Sequence, residues 1–253
     1  MAIRASGQYV SKNKGSRKTK SRAKENRFSK KQSFNLVTSP IFPVTHHGKT
    51  YHPKTKAKQD LTSFLVGRTF KVNQGDLNGM NTETHRNFCF KVGDVRGNDC
   101  LGFFNGMYMA RDKLANMIRK WHSLIDAHLD LTTSDGSIWR VFVHAVTKRL
   151  PGQVKRNSYC QTTQAKKIRK IIFEVLTEEF EGIDVDKLVK KLSTEAVGKE
   201  VENRCAKIYP LTAVISKVKP IKNMKIVEAL NAKNVAQSNA PEANQFIIAE
   251  EAN

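Results

Sequence analysis

The sequence predicts an α+β fold flanked by a basic N-terminal arm and a short C-terminal tail, and three observations carry that prediction. From Arg111 onward, Leu114, Met117, Ile118, Trp121, Leu124, Ile125 and His128 recur at i, i+3, i+4, i+7 spacing, the mark of an amphipathic helix. Two β-prone runs, Leu129 to Thr133 and Ser137 to Thr147, flank Ser134-Asp135-Gly136. Asp-Gly between such runs signals a hairpin, because the turn needs residues that tolerate positive φ. A second helix is expected from about Thr162, burying Ile168, Ile171, Ile172, Val175 and Leu176. Helix 111–128 plus the hairpin is the expected core.

The chain divides into an arm over 1–33, one α+β domain over 34–232 and a tail over 233–253. Residues 1–31 hold eleven Lys/Arg and one acid, Glu25, with few apolar residues and no period. Such a segment cannot offset its ordering entropy by burial, so it is expected to be disordered when free. At about 3.3 Å per residue it could reach roughly 100 Å, far enough to thread between other molecules. It is Lys-rich and lacks an amphipathic stripe, which separates it from a transit peptide.

From Phe34 to Val72 the reading is β with irregular links. Ser63-Phe64-Leu65-Val66 and Arg68 to Val72 look like strands, and His46-His47 lies in a loop before a glycine. Gly48-Lys49-Thr50 is not a P-loop, because Pro43 stands where that motif needs its first glycine. Asn73 to Gly79 reads as a polar turn, and Phe88 to Val92 as a strand with alternating faces. Gly93, Gly97, Gly102 and Gly106 do not form a dinucleotide fingerprint and read as turns. Phe103-Phe104 reads as a core or staple pair ahead of the helix. Asp184 and Ser193 or Thr194 would cap helices over about 185–192 and 195–208, ended by Pro210. Val214 to Val218 alternates like a strand, and a helix is expected from Met224 to Ala232.

Charge is the outlier. With 253 residues, 44 Lys+Arg against 23 Asp+Glu give +21, which predicts a polyanionic partner. No apolar run approaches the length of a membrane span, so no membrane partner is expected. Cys89, Cys100, Cys160 and Cys205 form no C-x-x-C pair, so neither zinc nor any other metal or cofactor is expected. No apolar signal region opens the sequence, and the thiols are expected to be reduced, as small hydrophobes.

Two basic blocks are the candidate nucleic-acid contacts. In the arm these are Lys12, Lys14, Arg17, Lys18, Lys20, Arg22, Lys24 and Arg27. In the second block they are Lys148, Arg149, Lys155, Arg156, Lys166, Lys167, Arg169 and Lys170, within a stretch that holds no acid, with Tyr159 between the clusters. Cations would take phosphates and the ring a base. The helix from Thr162 also runs against its dipole, basic at its start and acidic at Glu178, Glu179 and Glu181. An external anion at the basic end would account for that polarity.

Catalysis on nucleic acid would need clustered carboxylates or a positioned histidine. Asp94, Asp99, Asp130 and Asp135 are the available acids, of which Asp94 and Asp99 are read in glycine-rich loops, where Asp is common, and Asp135 in a turn. His128 and His144 are expected on element faces, packed rather than catalytic. A chromatin protein would show a recognition helix or zinc module, and Arg140-Val141-Phe142-Val143 lacks the glycine of an RNP motif. Composition alone leaves RNA and DNA both open.

An ordered string of local matches runs from about Phe34 to Lys225. It includes Gly67-Arg68-Thr69-Phe70-Lys71-Val72, Asp94 through Leu101, Phe104-Asn105-Gly106-Met107 and Arg111-Asp112-Lys113 with Trp121. It continues through Ala127-His128, Thr132 through Gly136, Thr147-Lys148-Arg149, Ser158-Tyr159, Gln164 with Ile168-Arg169-Lys170, Gly198-Lys199-Glu200 and Ile208-Tyr209-Pro210-Leu211. Together these residues resemble the S-one-e (S-three-a) family of small-subunit ribosomal proteins of eukaryotes and archaea. The resemblance implies an α+β protein with an antiparallel, barrel-like β-sheet and packed helices, and a structural, non-enzymatic role. It also implies a place on the platform of the 40S subunit near the mRNA exit. Its partners would be small-subunit rRNA, neighbouring ribosomal proteins and mRNA near the exit channel. A cytoplasmic ribosome with a nucleolar assembly stage follows from the same resemblance.

Overall fold

The computed structural model describes residues 27–54, 61–80 and 83–224. A 3-10 turn, Arg27–Lys30, leads into β1 (Lys31–Val37) and β2 (His46–Pro53). Next come α1 (Thr62–Leu65), β3 (Thr69–Asn73) and α2 (Gln74–Asn78). A long hairpin, β4 (Arg86–Arg96) and β5 (Asp99–Met109), precedes α3 (Arg111–Met117), and a second hairpin follows, β6 (Leu124–Thr132) and β7 (Ile138–Thr147). Three helices, α4 (Thr162–Phe180), α5 (Val185–Thr194) and α6 (Ala196–Cys205), then lead to β8 (Leu211–Lys222).

All eight strands join one sheet, in the order β2-β1-β5-β8-β7-β6, with β4 on the other side of β5 and β3 beyond it. Every pairing is antiparallel except the short one between β1 and β5. One face of this sheet carries the helices. Phe88, Phe104, Ile125, Trp139, Val141, Ala145 and Ala213 are buried there in one cluster with Ile168, Ile172, Val175, Leu176 and Phe180 of α4. Each large side chain so buried contributes about 1.5–3 kcal/mol. A smaller cluster of Phe34, Leu65, Val92 and Cys100 ties β1 and α1 to the β4–β5 hairpin.

The Asp-Gly hairpin forms where the sequence places it, with Gly136 at φ 71° and Gly136 N–H donating to Thr133 O at 2.9 Å. Its expected helical partner does not. The helix from Arg111 stops at Met117, and Leu124 already belongs to β6. Ile118, Trp121 and Leu124 are 52%, 56% and 41% exposed, and Trp121 breaks the chain with φ 70°. The apolar residues of 124–131 satisfy period 2 as well as 3.6, and β7 offers a full ladder, so alternation wins: Ile125, Ala127 and Leu131 point inward. The helix that covers the hairpin is α4, which packs on β6, while α6 packs on β8.

Other local readings change for equally local reasons. Ser63 to Val66 is not a strand; one turn of α1 carries Leu65 into the smaller core, and β4 is already flanked by β3 and β5. Asn73 to Gly79 is α2, capped by Asn73 Oδ1, which accepts from Gly75 N–H at 2.9 Å, and closed by Gly79 at φ 67°. His46-His47 opens β2 rather than a loop, because β1 supplies its ladder. Of the four glycines read as turns, only Gly97 turns the chain; Gly93, Gly102 and Gly106 lie within β4 and β5. Asp94 and Asp99 thus stand on paired strands beside a tight turn. Phe103 and Phe104 sit inside β5 on opposite faces, and Phe104 stacks on Trp139 at 5.1 Å. Residues 27–31, read as disordered, form the 3-10 turn and the start of β1, held by the β2 ladder and by Phe28 packed edge-on to Tyr51. Ser193 and Thr194 do not cap α6. Their hydroxyls donate backwards to Lys190 O and Lys191 O, and α6 starts after Glu195, which takes φ 55°. The strand read at Val214 to Val218 extends over all of β8. Beyond Met224, the helix expected over 224–232 lies outside the described residues, as does the tail.

The α5–α6 junction is fixed by a buried cation. Arg86, 2% exposed, donates from Nη1 to Leu192 O and Ser193 O at 2.9 and 2.6 Å, and pairs with Glu195 at 2.7 Å. The guanidinium therefore satisfies the open carbonyl end of α5 and pulls the reversing residue onto the sheet. Burial works against ionisation of Glu195, but the His85 hydrogen bond and the Arg86 charge outweigh it and hold the carboxyl below its ordinary value of 4.5. A depressed carboxylate adds stability that is present above its unfolded pKa and lost as pH falls through the folded value. Glu195→Gln is expected to cost about 1–3 kcal/mol at neutral pH, less than a dry pair because Glu195 is 39% exposed. It should also flatten the loss of stability below pH 4.5, measured as Tm against pH. Gly106, at φ 129°, brings its α-carbon so close to β8 that an added Cβ would lie 2.5 Å from Val218 O. Gly106→Ala is expected to lower stability by about 2–4 kcal/mol in urea unfolding.

Candidate nucleic-acid interface

The second basic block leaves the sheet at the end of β7 and returns as α4, and its loop is braced against residues 118–123. Thr147 Oγ1 donates to Ser158 O at 2.6 Å and accepts from Ser123 N–H at 2.9 Å. Ser158 N–H donates to Trp121 O at 2.8 Å, and Cys160 N–H to Ser123 Oγ at 3.0 Å. His122 Nδ1 donates to Thr147 O at 2.5 Å. Within the loop, Gln153 Nε2 donates to Lys155 O and Asn157 O at 3.1 and 2.8 Å. Two loops that are distant in sequence thus form one fixed rim.

That rim brings Arg119 and His122 to one open hollow with Lys148 and Arg149, and joins Trp121 through its carbonyl to Ser158, the neighbour of Tyr159. Trp121 and Tyr159 are 56% and 54% exposed. Arg119, Lys120 and Trp121 are absent from the contacts read in the sequence, since a helical reading turned Trp121 into the core. Their signal was the basic pair beside a tryptophan; the positive φ that exposes the ring was invisible. Chain continuity then brings α4 to the rim, with Gln164 Oε1 accepting from Gln161 N–H at 3.0 Å and no acid in its first turn.

The cations differ in how committed they are. Lys148 pairs with Glu202 at 3.3 Å, Arg149 donates to Gln153 O at 2.5 Å, and Arg169 Nε donates to Asp126 O at 3.2 Å, tying α4 to β6. Lys170 faces Glu174 at 3.9 Å. Lys155, Arg156, Lys166 and Lys167 are exposed and pair with no carboxylate among the described residues. The reversed charge of α4 has an internal cause at its acidic end: Glu178 pairs with Arg204 at 2.8 Å and Glu179 with Lys191 at 2.9 Å. The Arg204 hydrogen bond lowers the Glu178 pKa. At the basic end the one internal counter-charge among the described residues is Glu174, beside Lys170. Of the arm residues, Lys12, Lys14, Arg17, Lys18, Lys20, Arg22 and Lys24 lie outside the described residues, and Arg27 is described in backbone only.

The carboxylates weighed for catalysis are used structurally. Arg140 binds Asp130 through two bonds of 2.5 and 2.6 Å, and that hydrogen bond holds the Asp130 carboxyl below its usual range. Asp99 accepts from Asn35 Nδ2 at 2.8 Å, and Asp94 from the Val95 N–H at 2.9 Å. His144 bonds to Asp126 at 2.5 Å, and exposed His128 lies beside Phe142. All four cysteines are free thiols; burial pushes Cys205 up to about 11.

The sequence relationships agree with this architecture. The model of the Ribosomal S3Ae family matches residues 19–224. The chain is similar to small ribosomal subunit protein eS1 of Enterocytozoon bieneusi, 56% identical over 234 residues, 90% of this chain and 91% of the relative. The protein of the same name from Encephalitozoon cuniculi is 45% identical over 88% of this chain and 93% of its own length. That of Plasmodium falciparum is 39% identical over 86% of this chain and 84% of its own length. The match to the family model spans the sheet and all the helices described above, and the chain belongs to the ribosomal S3Ae family.

Proposed function

We propose that this chain is a structural constituent of the small ribosomal subunit, acting by binding rather than by catalysis. The observation that carries the reading is the braced rim joined to the basic end of α4. There Lys155, Arg156, Lys166 and Lys167 stand unpaired among the described residues beside exposed Trp121 and Tyr159. Small-subunit rRNA is the partner this surface suits: phosphates meet the cations, counterions are released, and the rings meet unstacked bases. The arm, Lys12 through Arg27, adds a second, sequence-tolerant contact. Relatives named as small ribosomal subunit protein eS1 over most of the chain support the ribosomal role. A location on the platform near the mRNA exit, platform proteins and mRNA as neighbours, and a nucleolar assembly stage before the cytoplasmic ribosome rest on the family resemblance alone.

Sedimentation of a cell extract through a high-salt sucrose gradient tests the assignment. Co-migration with the small subunit in stoichiometric amount, surviving the salt wash, is expected; a chain left at the top of the gradient would overturn it. The surface has its own test in the salt dependence of binding to rRNA fragments. Engagement of about eight phosphates predicts a slope of log K against log salt near −6 to −7. Replacing Lys155, Arg156, Lys166 and Lys167 by Gln should reduce that slope by about 3, with little change in Tm.

A further inference from the structure

The helix-free face of the sheet carries a second constellation, separate from the rim. Strand register lines up Tyr108 of β5, Lys217 of β8, Phe142 of β7 and His128 of β6 as one cross-strand row. Lys219 and Arg140 pair in the same way across β8 and β7, and Lys71 and Cys89 across β3 and β4. Lys71 Nζ stands 5.1 Å from the centre of the Tyr108 ring, and Lys219 Nζ 5.5 Å from that of Phe142. An open hollow of about 430 Å³ lies on this face, bordered by Lys71, Cys89, Tyr108, Lys217 and Lys219.

The charges on this face do not cancel. Its acids have partners, Asp130 in an ion pair with Arg140 and Asp126 in a hydrogen bond with His144. Lys71, Lys217 and Lys219 are exposed and pair with no carboxylate among the described residues. Burial raises the Cys89 pKa, and the charges of Lys71 and Lys217 offset part of that rise.

We propose that this face is a platform for an unpaired RNA strand, with bases stacked on Tyr108 and Phe142 and phosphates held by Lys71, Lys217 and Lys219. An acidic peptide would use the lysines and leave the rings idle. Duplex RNA keeps its bases inside the stack, where the rings cannot meet them. An unpaired nucleotide uses both, since a ring takes a base of any sequence and a neighbouring cation takes its phosphate. The platform draws its five residues from four strands, β3, β5, β7 and β8, so it is an RNA-binding sheet face without a linear motif.

Ultraviolet cross-linking of the full chain to an oligouridylate, with adducts mapped by mass spectrometry, tests this. Adducts on Tyr108 or Phe142 are expected. They should persist when Lys155, Arg156, Lys166 and Lys167 are all replaced by Gln, so the platform is read independently of the rim. Lys217→Gln with Lys219→Gln should weaken oligouridylate binding several-fold, and Tyr108→Ala with Phe142→Ala by about tenfold or more. Adducts confined to Trp121 and Tyr159, together with unchanged affinity of the Lys217/Lys219 variant, would overturn the proposal. So would protection of the sheet face by polyglutamate as effective as that by oligouridylate, which would make it an anion surface without stacking. Because the adduct map is made on the unmodified chain, a variant that fails to fold does not blunt the test.

Discussion

Trp139, Val141, Val143 and Ala145 are each at most 2% exposed, and they occupy alternate positions of one strand, β7, which is paired on both sides. A strand in that position can bury only one face when helices are available for one layer, and the rest of the molecule follows from which face that is. The helix α4 must cover β6 and β7, so its axis is fixed by Ile168, Ile172, Val175 and Leu176. Once the axis is fixed, the basic first turns of α4 have to emerge beside the end of β7, where the loop 148–161 begins. The opposite face of the same strand, with Arg140, Phe142 and His144, is left to water or to a partner.

Electrostatics then sorts the charges by how replaceable they are. Acids are spent inside the protein: Glu178 and Glu179 tie α4 to its neighbouring helices, Glu202 reaches Lys148, and Asp130 holds Arg140. Most such surface pairs contribute little to stability. Their larger effect is on what remains, since an excess of +21 must appear as unmatched cations. About half of that excess lies in residues 1–31. Among the described residues, unmatched cations stand at the rim with exposed Trp121 and Tyr159 and on the open sheet face with half-buried Tyr108 and Phe142. Cations beside rings favour a flexible polyanion with flat bases over a small anion.

Arg86 is the exception to this economy, a charge taken fully out of water. It is tolerable because the backbone around it is equally needy: two carbonyls at the end of α5 have no helical partner, and Glu195 has been turned back at positive φ. Gln74 adds a donor to Ser193 O at 2.9 Å, so α2 shares the same junction. One guanidinium on β4 thereby ties the end of α5 and the start of α6 to the β4–β5 hairpin.

The sequence by itself determined the features that depend on neighbours within a few residues. The Asp-Gly hairpin, the buried stripe of α4, the alternation in β3, β4 and β8, and the excess of positive charge are local chemistry, and ordered local matches were enough to point to the family. Tertiary structure decided whatever depended on competition between pairings. Residues 118–128 carry a helical stripe, yet an open ladder on β7 offered every backbone group a partner and the period-2 face a core, so strand replaced helix. The same competition exposed Trp121 and delivered Arg119 and Lys120 to the rim, which no spacing rule could foresee. The row Tyr108–Lys217–Phe142–His128 was hidden for a related reason: its members are neighbours only through register, and register is set by one tight turn, two long connections through helices and two bulges.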